Sequence, residues 1–283
     1  MKRVVFDCFP GGHRKALHMS FDDGRAHDRR LVALFNEHGI KGTFFLNSGR
    51  LDGEGYLRSD EVADLFHGHE VGAHGVTHPC LPQLPNERLI EEIYEDRRTL
   101  ERQVGYVVRG LSYPGCDYNE RLIAMLPTLG IAYARTCEKR SDFLLPDDVY
   151  RWPMSCHQSR ALETAERFLR VPPLWGLQLF YVMGHSFEFE SGWEDIEAFC
   201  KLMGGREDIW YATNIEIADY MKALRAIHVS ADGDILTNPT AQPVWCSLWE
   251  NGKPAETVEI EAGQTVHLKK TQGTVPAPRK KAP

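Results

Sequence analysis

The chain has 283 residues, 42% of them apolar, and its 33 basic and 40 acidic side chains leave a net charge of −7. That length and apolar content can fill the core of a single barrel domain of roughly 200–250 residues, which excludes a small stapled module. The negative balance argues against a polyanion-binding surface, so no nucleic-acid partner is expected. No apolar run approaches the roughly 18 residues of a membrane helix, so no membrane partner is expected either. The seven Cys are odd in number and scattered, without a C-x-x-C pair, and read as reduced thiols rather than a disulfide framework. The first ten residues lack an apolar segment followed by a small-residue cleavage site, which points to a cytoplasmic location.

In chain order, residues 16–20 read as a buried strand running into Asp22-Asp23-Gly24. Residues 29–38 form an amphipathic helix stopped by Gly39, and residues 41–47 the next strand. Residues 70–73 make a short strand ending at His74. A long charged helix covers 86–103, a strand 107–112, and a helix 119–129 with Gly130 at its end. Residues 177–183 form a buried strand leading to His185, and 193–203 a helix closed by glycines. Residues 209–212 are the last strand of the series, and Thr213-x-x-Glu216 is a capping box opening a helix that runs to Ala226. Repeated βα units predict an α/β fold, a distorted parallel (β/α) barrel over residues 1–226. Short alternating stretches at 228–230, 244–249, 258–260 and 265–268, with turn signals at Asp232-Gly233 and Asn251-Gly252, predict a small β appendage packed on the barrel over 227–270. Residues 271–283, with their prolines and Arg279-Lys280-Lys281, read as a disordered tail.

Two motifs carry chemistry: Ser20-Phe21-Asp22-Asp23-Gly24 and His74-Gly75-Val76-Thr77-His78. Metal-assisted hydrolysis needs N/O ligands that leave coordination positions open, and a separate carboxylate able to take a proton from water. Two imidazoles four residues apart can meet one ion from a helical turn or from a tight loop. Adjacent carboxylates cannot both face the ion with equal ease, so one of Asp22 and Asp23 ligates and the other faces the water. Either motif alone is a weak signal. Both, however, sit at the C-terminal ends of predicted strands, where parallel α/β folds build their sites.

These residues resemble the first two motifs of the polysaccharide deacetylases, the NodB-homology or carbohydrate esterase family 4 enzymes, across residues 10–226. The resemblance implies a NodB-type distorted barrel with Asp22 as general base. It makes Asp23, His74 and His78 the ligands of a divalent metal, with Zn2+ expected first and Co2+, Mn2+ or Ni2+ as alternatives. The family's third motif reads Arg-x-Pro-Tyr/Phe. Here Ser112-Tyr113-Pro114-Gly115-Cys116 keeps the Pro and lacks the Arg, which in the family steadies the base. Tyr113, Pro114 and Gly115 are expected at the substrate, with the Gly115 N–H toward the oxyanion. Arg151, beside Trp152 where the fourth motif's Trp would fall, is expected to replace the missing guanidinium, and both are expected at the substrate. His185 matches the fifth motif's general acid. Glu188 either orients that imidazole or is a solvated helix-start residue. The implied function is removal of N-acetyl groups from N-acetylhexosamine-containing saccharides. The alternatives are deacylation of a non-sugar amide or ureide, and a catalytically idle saccharide-binding module suggested by the absent Arg.

Overall fold

The computed structural model describes residues 3–140, 142–172 and 176–268. The chain opens on β1 (Arg3–Val5), which pairs with a strand near the other end of the sequence. Then follow β2 (Lys15–Asp22), α1 (Asp28–Glu37), β3 (Gly42–Leu46), α2 (Val62–Leu65), β4 (Glu70–Ala73), α3 (Asn86–Val104), β5 (Gly110–Ser112) and α4 (Glu120–Met125). The series continues through β6 (Tyr133–Lys139), β7 (Trp152–Met154), β8 (Cys156–His157), α5 (Ala161–Arg170), β9 (Gln178–Gly184), α6 (Glu194–Met203), β10 (Ile209–Tyr211) and α7 (Asn214–Arg225). Beyond it lie β11 (His228–Val229), β12 (Ile235–Thr237), β13 (Val244–Glu250), β14 (Lys253–Ile260) and β15 (Thr265–His267).

A strand covered by helices on one face and by its own barrel on the other has no solvent side, so it reads as a run rather than an alternation. All eight residues of β2 are buried for this reason, and so are those of β3, β4 and β9. The nine-stranded sheet runs β7-β6-β5-β4-β3-β2-β9-β8, with β10 also on β2, and each of these pairings is parallel. Only Ser155 separates β7 from β8, and its N–H donates to the Tyr181 carbonyl at 2.8 Å. One short segment therefore lies on β6 at one end and on β9 at the other, which nearly closes the sheet into a barrel. Phe21, Phe35, Phe44 and Phe66 stack between the sheet and its helices, each such ring contributing on the order of 2 kcal/mol by burial. Close approach also selects Gly72, because a Cβ there would overlap the Phe45 ring.

The register aligns the strand ends. Asp22 pairs with Phe45, Leu46 with Ala73, Ala73 with Leu111, Ser112 with Arg135, and Phe21 with Gly184. Asp22, His74, Ser112, Arg135 and His185 thus belong to one rim of the barrel.

The predicted elements recur with small shifts. The helix expected over 119–129 is shorter, Glu120–Met125, with the Asn119 side chain accepting from the Leu122 N–H at its start. Thr213 and Glu216 form the predicted capping box: the Thr213 N–H donates to Glu216 Oε2 at 2.7 Å, and the Glu216 N–H to Thr213 Oγ1 at 3.4 Å. β6, β7, β8 and α5 fall where no element was assigned.

The described residues divide into two compact units, one from His13 to Met221, the other comprising those up to Gly12 and from Lys222 onward. Residues 3–12 thus go with the C-terminal unit and not with the barrel expected over 1–226, because Val4 of β1 pairs with Leu248 of β13. That unit holds two three-stranded antiparallel sheets, β1-β13-β14 and β11-β12-β15. The β13–β14 hairpin turns at Asn251-Gly252, at φ 53° and 77°, the backbone this dipeptide favours. Residues 271–283, expected as a disordered tail, lie outside the described residues. Among the described residues no helix is long and apolar enough to cross a membrane.

Candidate active site

Asp22 ends β2, and the chain leaves the strand through Asp23 at φ 82° and Gly24 at φ 66°. The Asp23 N–H donates to the Phe45 carbonyl at 2.9 Å, which fixes the turn. Of the two forms open to the H-x-x-x-H segment, the structure takes the tight loop: Gly75 sits at φ 75° and His78 at φ 61°. Positive φ at Asp23 and His78 costs on the order of 1–3 kcal/mol each and persists only where neighbours hold the backbone. Asn47 Nδ2 donates to the carbonyls of His74 and Gly75 at 2.6 and 2.8 Å. Asp96 accepts from the N–H groups of His74 and Ser48 at 2.8 and 2.7 Å. Glu92 accepts from the Thr77 N–H at 2.9 Å and from its hydroxyl at 2.8 Å. Burial pushes the Asp96 carboxyl up to about 7. Sequence reasoning missed all three clamping residues. The available signal was two acidic side chains at i and i+4 on the inward face of the charged helix α3.

The Asp23, His74 and His78 side chains converge. Asp23 Oδ1 lies 3.6 Å from His74 Nε2 and 3.7 Å from His78 Nε2, and the two rings meet edge to face at 4.7 Å. His74 Nδ1 stands 2.8 Å from the Ser112 carbonyl, which can only accept, so the ring's proton is on Nδ1 and the Nε2 lone pair faces Asp23. Burial, the largest influence on His74, favours this neutral ring. Asp23 Oδ1 is buried without a hydrogen-bond partner. An orphaned carboxylate oxygen facing the His74 lone pair, with the His78 ring beside it, calls for a cation, and an N2O donor set with open positions fits a divalent ion of the zinc type.

Asp22 lies on the far side of His74, its Oδ2 3.8 Å from Nε2. Its partner is Arg135, not Arg151. The Arg135 guanidinium, 1% exposed, pairs through Nη2 with Asp22 Oδ2 and with Ser112 Oγ, and that hydroxyl donates to the same Asp22 oxygen at 3.1 Å. The position that lacks Arg in the third motif is therefore served by Ser112 together with the residue paired to it on β6. Arg151 instead bridges Glu120 and Asp148 on the surface. Burial alone would raise the Asp22 pKa, but the charge and hydrogen bond of Arg135 oppose it, and the carboxyl is held below its ordinary value. Two residues beyond Arg135, Cys137 is bonded to Cys116 of the third-motif loop. This disulfide corrects the expectation that all the thiols are reduced.

The remaining predicted residues separate into near and remote. Gly115 is exposed at φ 63° next to buried Pro114, so its backbone is accessible at the rim. Tyr113 and Trp152 are each 1% exposed and do not face a substrate. The Tyr113 hydroxyl donates to the Tyr150 carbonyl at 2.9 Å, and Trp152 packs against Tyr133 and Tyr181 inside the barrel. His185 follows β9 beside Asp22, and its Nδ1 is 2.7 Å from Glu188 Oε1, so Glu188 orients the imidazole.

The family model described as polysaccharide deacetylase matches residues 10–134, the segment that holds both motifs. The similarity to the polysaccharide deacetylase family is thus carried by residues 10–134. The deacetylase segment is similar to a peptidoglycan-N-acetylglucosamine deacetylase from Bacillus cereus, 31% identical over 106 residues, covering 37% of this chain and 38% of that protein. It is also similar to chitin deacetylase 1 from Cryptococcus neoformans var. grubii, 26% identical over 116 residues, 40% of this chain and 24% of that protein. The chain thus spans well under half the length of these curated relatives. The fold resembles that of a protein from Mycobacterium smegmatis described as a polysaccharide deacetylase, with a TM-score of 0.60 at 16% identity, covering 78% of this chain and 94% of that one. Arg135 lies just past the end of the matched segment, on β6.

Proposed function

We propose that the chain is a metal-dependent hydrolase that removes N-acetyl groups from N-acetylhexosamine-containing saccharides. The observation that carries this reading is the pairing of two unlike carboxylates at one rim: Asp22, paired with Arg135, and Asp23, whose buried Oδ1 has no hydrogen-bond partner beside the Nε2 atoms of His74 and His78. When bound by Asp23, His74 and His78, a divalent ion, zinc in the first instance, supplies Lewis acidity to the acyl oxygen and activates a water.

The chain's own groups do the rest. Asp22, held by Arg135 and Ser112, takes the proton of the attacking water. The Gly115 N–H donates to the developing oxyanion, a contribution on the order of 3 kcal/mol for one such donor. His185, aligned by Glu188, gives a proton to the departing amine from the ring nitrogen that Glu188 does not engage. The substrate assignment rests on the similarity to deacetylases named for N-acetylglucosamine polymers. The idle-module reading was motivated by a missing Arg, and Arg135 removes that motive. The cytoplasmic expectation loses weight with Cys116–Cys137 as a disulfide, because such bonds persist in oxidising compartments. Acetate release from chito-oligosaccharides, with and without chelator, tests the function. Release that stops on chelation and returns with zinc is expected. Hydrolysis of a non-sugar amide or a ureide in place of the saccharide, monitored by loss of that substrate, would move the substrate class, and no hydrolysis of any of them despite bound metal would reject the reading.

A further inference from the structure

Beside the Asp23-His74-His78 cluster, the rim of β8 and β9 brings a second set of donors together. His157 ends β8 and pairs with Met183 of β9, His185 follows β9, and Glu188 lies three residues further on. His157 Nε2 stands 3.2 Å from Glu188 Oε2, and His185 Nδ1 2.7 Å from Glu188 Oε1. One donor atom from each of the three side chains lies within 4.8 Å of the others. Orienting His185 requires a single contact with Glu188, and a second imidazole aimed at the same carboxylate goes beyond that need.

The surroundings hold this arrangement in place. Gln158 Nε2 donates to Glu188 Oε2 at 3.0 Å and to the His185 carbonyl at 2.9 Å. Ser159 Oγ lies 3.0 Å from His157 Nδ1, to which the Ser159 N–H also donates at 3.4 Å. About a third of the His157 and Glu188 side chains is exposed, so an ion can reach them from solvent. We infer that His157, His185 and Glu188 form a second divalent-cation site, of the zinc, nickel or copper type, whose occupation switches off the general acid.

Two imidazole nitrogens and a carboxylate oxygen suit a borderline cation, and partners that orient each ligand are what such sites need. Loading is balanced without a redox step. The proton of each neutral ring moves from the inner to the outer nitrogen, onto Nδ1 of His157, where Ser159 Oγ accepts it and the 3.4 Å hydrogen bond from the Ser159 N–H is given up, and onto Nε2 of His185. The cation then takes the place of the two inner protons. As a general acid, the doubly protonated His185 ring loses its Nε2 proton and keeps Nδ1–H against Glu188. A cation on Nδ1 occupies the place of that proton, so the same loss would leave an imidazolate, and the amine goes unprotonated. The binding half of this inference is independent of the proposed activity; the inhibitory half rests on His185 being the acid.

The test is zinc content after equilibrium dialysis at rising free zinc, read together with acetate release. The unmutated chain should take a first equivalent and then a second, with release falling by about 10²-fold as the second binds. His157→Ala, and His157→Gln as a second variant, should keep the first equivalent and the basal release while losing both the second equivalent and the fall. His74→Ala should lose the first equivalent and keep the second. Were the Asp23-His74-His78 cluster not a metal site, the unmutated chain would take one equivalent and lose it in His157→Ala, so the two readings fail separately. A chain that stops at one equivalent retained by His157→Ala, or a second equivalent that persists in that variant, overturns the site. A second equivalent without loss of release overturns the inhibition.

Discussion

Asp22 is a carboxylate almost out of water, and burial alone would raise its pKa. Arg135 opposes that shift, so their contacts decide whether the base is available. Because its pKa is depressed, the stability Asp22 gains from the pair is fully present above the ordinary carboxylate value of 3.8 and is lost as pH falls below it, through the lower folded value. Arg135→Met leaves a buried charge unpaired and should cost about 3–5 kcal/mol of stability. It should also move the acidic limb of kcat/KM to higher pH, since burial then dominates Asp22. A pH profile on the folded variant checks this, and an unmoved limb would mean that Arg135 does not govern the base. Arg151→Ala should leave the profile unchanged, because its partners are Glu120 and Asp148. The motif residues Asp22, Asp23, His74 and His78 were legible because they sit on local, spaced signatures. Arg135 was not, because its partner is 113 positions away in sequence and only strand register brings the two together.

At the scale of elements, most of the strands and helices that carry the motifs could be read from apolar runs and caps. β6 could not: Tyr133 to Thr136 are buried while the last three residues face outward, and a buried Arg interrupts the apolar signature. The βα alternation after α4 leaves room for a strand there, which is the signal that could have found Arg135. The H-x-x-x-H loop shows the same division between local and distant information. Its histidines are legible, but the clamp from α3 is visible only once the helix is placed. Asp96 accepts from two N–H groups, so Asp96→Asn turns an amide donor toward one of them and should cost about 1–3 kcal/mol. Loosening of the loop should also weaken zinc binding by about 10–100-fold, measured by competition with a chelator. The Cys116–Cys137 bond ties the Gly115 loop to β6 across a sequence separation of 21. Replacing both cysteines by Ala should cost about 3 kcal/mol in denaturant unfolding under oxidising conditions. Equal stability of the two proteins would show that the bond is not formed in solution.

For the whole molecule, the barrel class was readable from repeated βα units, whereas the assignment of the N-terminus was not. Val4 reaches Leu248 through a pairing that no local pattern announces. Deleting residues 1–12 should therefore unprotect the edge of β13, seen as faster amide exchange over Val244–Glu250. The central claim concerns the barrel: Asp22 moves protons, while Asp23, His74 and His78 hold a metal. Zinc content and acetate release measured together on Asp22→Asn test it most directly. The variant should keep its zinc and lose release by about 10²- to 10⁴-fold. A variant that loses its zinc, or one that keeps both zinc and full release, would contradict it.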